Sequence, residues 1–116
     1  MRPIVALLAV TACTAAPTPD ARYVGPATPA QPSDQCRPSR AILRMRDGQV
    51  LLIPDETTWS LPGTATTAGI LTAERTGAGA NRQPFSTRFT GTWTPTNATG
   101  TYTTPRCTFT LTLTRN

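Results

Sequence analysis

The chain contains no histidine and no lysine. Without histidine there can be no serine–histidine or cysteine–histidine nucleophile. The usual zinc and iron sites lose their main nitrogen ligand as well. Acids are few: Asp20, Asp34, Asp47, Asp55, Glu56 and Glu74 are the full set. Asp55-Glu56 is the sole acidic doublet, too few oxygens for a calcium loop. No spacing among Asp47, Asp55, Glu56 and Glu74 matches a glycosidase pair. The stretch Gly77-Ala78-Gly79-Ala80 lacks the lysine of a phosphate-binding loop. The residues therefore predict a protein that is not an enzyme, with no metal and no cofactor. Long apolar runs are also missing. Ile4–Val10 is seven residues long, whereas a membrane-crossing helix needs about 20.

What is present divides the chain unevenly. Arg2 precedes the short apolar run, and small residues Thr11-Ala12 lead to Cys13. A charged start, an apolar stretch and a small-residue site form a secretory signal. Val10-Thr11-Ala12-Cys13 resembles the lipobox of bacterial prolipoproteins. The resemblance covers residues 1–13 and implies a signal peptide over 1–12, removed before Cys13, whose thiol carries a diacylglycerol. It implies a partner too, the membrane that receives the lipid. The location implied is the cell envelope, on the outer or inner membrane facing the periplasm. The alternative is an ordinary cleaved signal with an incidental cysteine. Small side chains suit a protease cleft, and a thiolate is a good alkyl acceptor. Two or three acyl chains anchor durably where one is marginal.

The cysteine count fits this reading. Three cysteines leave one unpaired. Lipid on Cys13 leaves Cys36 and Cys107 as a disulfide in an oxidising compartment. Residues 13–35 then form a lipidated cysteine and a tether rich in proline, alanine and threonine. Such a composition is expected to stay extended or disordered. Fully extended, that tether would reach roughly 70 Å.

Residues 36–116 are expected to form one all-β domain, a small antiparallel barrel or sandwich of about five to seven strands. Asp47-Gly48 between apolar runs marks a two-residue hairpin. Pairing outward from it puts Leu43, Met45, Val50 and Leu52 on the core face. The segment 54–63 reads as a loop, with Trp59 folding back as a lid. A strand is expected around 70–74 and a flexible connection over 77–84. Phe85, Thr87, Phe89, Gly91 and Trp93 alternate with polar residues, which is the period of a strand. The stretch 96–100 reads as a turn. The chain then closes with Cys107, Phe109, Leu111 and Leu113 inward and four threonines outward. The two aromatic strands are expected to be neighbours.

Net charge is +5, carried entirely by arginine. Arg40, Arg44 and Arg46 fall on the outer side of the hairpin, and Arg106 and Arg115 at the two ends of the last strand. If those strands adjoin, they offer an anion-binding face for an acidic glycan, lipid or protein. The alternative is a solvated sheet face. Nucleic acid is disfavoured by the compartment and by aromatics that point to the core. The expected function is a non-catalytic envelope lipoprotein whose domain binds or supports a partner. The alternative is an inhibitor of a periplasmic or foreign hydrolase. Periplasmic lysozyme-inhibitor lipoproteins are similar in architecture, with a small disulfide-tied barrel behind a lipobox. An inhibitor would need an inserting loop, and 55–63 is the candidate.

Overall fold

A computed structural model describes residues 18–56 and 59–116. The expected signal peptide, residues 1–12, and Cys13 lie outside the described residues. Eight antiparallel strands follow in chain order: β1 (Ala21–Pro29), β2 (Ser39–Arg46), β3 (Gln49–Ile53), β4 (Leu61–Ala65), β5 (Ile70–Ala78), β6 (Pro84–Trp93), β7 (Asn97–Thr103) and β8 (Thr108–Arg115). Each pairs with the next, and β1 also pairs with β8, so the sheet closes into a barrel. Closure removes the open edges that a small sheet would otherwise expose.

The expected hairpin forms with the expected register, Arg46 opposite Gln49 through Leu43 opposite Leu52. Asp47 and Gly48 both take positive φ, at 53° and 78°, as a type I′ turn requires. Inward residues from every strand fill the barrel. Tyr23, Leu43, Leu52, Leu61, Leu71, Phe89, Leu111 and Leu113 are fully buried. An eight-stranded barrel is just wide enough for its side chains to fill. The outer face is mostly polar, as in β8, where Thr108, Thr110, Thr112 and Thr114 are exposed, with half-buried Ile42, Leu51 and Ile53 on β2 and β3. That polarity is opposite to the apolar outer band of a lipid-embedded barrel.

Four expectations are corrected. The strands number eight, above the expected five to seven. The tether does not extend over 13–35, because Ala21–Pro29 is β1, hydrogen-bonded on both sides. Tyr23 and Ala27 fill the core and supply the burial that makes this segment fold. The segment 54–63 is not all loop: Leu61–Ala65 is β4, with Leu61 fully buried. The two aromatic strands are not neighbours. Residues 97–100, read as part of a turn, begin β7, which lies between β6 and β8.

Gly91 and Gly100 face each other across β6 and β7. A side chain on Gly100 would meet the Thr90 carbonyl and come within 2.7 Å of the Phe89 ring. Glycine at this pair lets the two backbones close tightly around Phe89.

Candidate functional site

The barrel has two ends. The rim gathers the chain entry at Asp20, the turns 47–48, 66–69 and 94–96, and the last residues. The mouth gathers 30–38, 54–56, 59–60, 79–83 and 104–107.

The disulfide joins Cys36 to Cys107 at the mouth, with Cα atoms 5.7 Å apart. Two matching turns present these cysteines. The Ser33 hydroxyl accepts from the Cys36 amide at 3.1 Å, and the Thr104 hydroxyl accepts from the Cys107 amide at 2.9 Å. In each turn the backbone also closes, with Ser33 and Thr104 amides donating to the cysteine carbonyls. Short hydroxyl side chains favour such turns because they bond backbone amides a few residues on. Arg106 donates to Gln35 Oε1 at 3.3 Å and bridges the two turns.

Beside the disulfide stands an aromatic cluster. Trp59 does fold back, as expected. It stacks on Phe85 with ring centres 5.8 Å apart, and the Arg75 guanidinium lies 4.6 Å from its centre on the ring face. The Trp59 Nε1 donates to Thr87 Oγ1 at 3.3 Å, and Thr87 Oγ1 donates to the Arg75 carbonyl at 3.3 Å. Thr87 is a buried polar residue whose hydroxyl is thereby satisfied. Tyr102 shares hydrogen bonds with Thr87 and Trp59 and stacks on Phe109. Burial pushes its phenol above the ordinary value, aided by the Asp55 charge and opposed by these hydrogen bonds. Clefts flank the disulfide. One, of about 580 Å³, is lined by Trp59, Phe85, Gln83 and Arg106. Another, of about 330 Å³, is lined by Asp34, Arg37, Asp55, Tyr102 and Phe109. Mouths of barrels are common ligand sites.

The expected arginine face divides. Arg40, Arg44 and Arg46 are outward on β2. They do not adjoin β8, because β1 lies between the two strands. Arg106 is at the mouth and Arg115 at the rim, where it donates to the Pro95 and Asp20 carbonyls. A groove of about 430 Å³ across β1 is lined by Arg40 and Arg115 among others. Sequence reasoning missed Arg22, which stands directly opposite Arg44. The signal for it was Tyr23-Val24, two good strand formers inside the proline-rich stretch. It also missed the Thr87–Tyr102 pair, for which no local pattern exists.

No family model, no curated protein and no solved structure matches this chain.

Proposed function

We propose that this chain is a non-catalytic lipoprotein of the bacterial cell envelope. A lipid on Cys13 holds it to the outer or inner membrane, and the barrel faces the periplasm. The observation that carries this reading is one of order. The motif Val10-Thr11-Ala12-Cys13 ends five residues before Thr18, which is buried at the rim. The anchor thus enters at one end of the barrel, and the disulfide-tied mouth opens at the other. Five residues span at most about 18 Å. The stem is therefore short and the mouth is the end turned away from the membrane. Its clefts, with aromatic and arginine linings, are the surface for binding or supporting a partner there.

The inhibitor reading has less support. It needed 55–63 as an inserting loop, but Leu61–Gly63 belongs to β4 and Trp59 is held by Phe85, Arg75 and Thr87.

The test is the intact mass of the protein recovered from membranes of a diderm host, beside Cys13→Ala. The expected species is residues 13–116 plus a lipid adduct, and the adduct is lost in the variant. A soluble, lipid-free wild-type chain would overturn the reading.

A further inference from the structure

The rim carries a cluster of cations that forms no ion pair with a carboxylate among the described residues. Arg22 on β1 and Arg44 on β2 are register partners, both exposed on the outer face. Arg46 follows on the same face. Like charges directly opposite on neighbouring strands repel. No carboxylate among the described residues lies within 4 Å of these three; the ion pair found joins Arg88 and Glu74. Their nearest cross-strand partners on β3, Leu51 and Gln49, are uncharged. Asp20 and Asp47 are the carboxylates near this end, and neither pairs with them. On the far side of the same rim, Ile70 is 47% exposed, the one exposed large hydrophobic residue among the described residues. Trp93 is partly exposed beside it, its Nε1 donating to the Thr66 carbonyl at 2.8 Å.

The chain enters at this rim. Thr18 Oγ1 lies 3.8 Å from the point where a side chain on Gly48 would begin, and Gly48 turns the chain next to Arg46. Cys13 is within about 18 Å of Thr18.

We propose that the rim is a membrane-contact surface. Arg22, Arg44 and Arg46 dock on anionic phospholipid headgroups of the bilayer that holds the Cys13 lipid, and the barrel stands rim-down. This rests on the lipid-anchor reading. The guanidinium fork matches a phosphate with two parallel hydrogen bonds. Phosphate supplies the charge that the Arg22–Arg44 pair lacks. Each arginine at an anionic surface favours contact about fivefold, so the three together favour it about a hundredfold.

The protein contains two tryptophans, and they report on opposite ends: Trp93 at the rim and Trp59 at the mouth. Cys13 is the one cysteine outside the disulfide. The full chain is coupled through it to maleimide-phospholipid vesicles, made with or without phosphatidylglycerol. Headgroup spin labels then quench fluorescence in Trp59→Phe and Trp93→Phe variants. We expect strong quenching of Trp93 and little of Trp59 on anionic vesicles. The bias disappears on neutral vesicles, at high salt, and in the Arg22→Gln/Arg44→Gln/Arg46→Gln variant. That variant removes only exposed side chains, and its near-ultraviolet dichroism checks the fold. Equal quenching of both tryptophans, stronger quenching of Trp59, or a bias unchanged in the triple variant overturns the proposal. The anchor is supplied chemically, so this outcome is independent of cellular lipidation. The native mass measurement alone decides the lipoprotein reading.

Discussion

At the rim, the chain turns by backbone geometry. Asp47 and Gly48 adopt positive φ, Gly69 does so at 93°, and the Thr94 hydroxyl accepts from the Asn97 amide at 3.0 Å. At the mouth, the connections are longer and are tied from outside: a disulfide, a ring stack, and an arginine over a tryptophan. Local turns fix themselves at little entropic cost, whereas longer connections need cross-links to order them. The same barrel thus has an end of short turns and an end whose longer connections add a disulfide and a ring stack to their own local turns. The second kind can present varied chemistry without disturbing the strands.

The largest break in this comparison should come from the mouth. Replacing Cys36 and Cys107 together by serine opens a covalent loop with a sequence separation of 71. In the chain-entropy model this costs roughly 4 kcal/mol, read from urea unfolding. Hydrogen exchange should rise at the amides of Ala30, Gly79 and Thr104 and remain slow at Ala65 and Trp93. Equal exposure at both ends would erase the distinction. A smaller loss is expected at the rim. Gly48→Ala puts a Cβ at φ 78°, with nothing closer than 3.6 Å. The cost is conformational alone, about 1 kcal/mol, on the same urea scale.

The smallest effect sharpens the comparison through pH. Tyr23 at the rim donates to the Thr94 carbonyl at 2.8 Å, and Tyr102 sits in the mouth cluster. Burial raises both phenols above the ordinary 10.0, and the Arg115 charge partly offsets this for Tyr23. A folded pKa above the unfolded one gives stability that is complete below pH 10 and lost as pH rises through the folded value. Unfolding midpoints should therefore fall above pH 10. Tyr23→Phe and Tyr102→Phe should each flatten that fall, and a slope unchanged in both would refute the assignment.

Much of the fold was legible where local chemistry and burial agree. Asp47-Gly48 set the hairpin register, and alternation marked β6 and β8. Counting cysteines paired Cys36 with Cys107. The segments misread share a physical cause. β1, β4 and β7 each contain a glycine whose side chain would collide with a neighbouring strand: Gly25 with Thr112 on β8, Gly63 with Thr72 on β5 and Gly100 with Thr90 on β6. In an open sheet such residues signal turns. In a small closed barrel they sit where curvature brings backbones together. Pro26 strengthened the misreading of β1; the β1–β8 register has no partner positions at Gly25 and Pro26. Of the candidate site, the disulfide and the lid of Trp59 were legible. The arginine grouping was not, because it depended on which strand β1 would separate.

Pairing of β1 with β8 also sets an order in time. Val24 must wait for Thr114, ninety residues later, before its strand has a second neighbour. Contacts this distant in sequence form late and slowly. The chain emerges from its synthesis, or from any pore it passes, as an open meander, and β1 to β7 alone leave two unpaired edges, one on β1 and one on β7. Only when the final strand is delivered does the last seam seal, and the molecule becomes a barrel all at once.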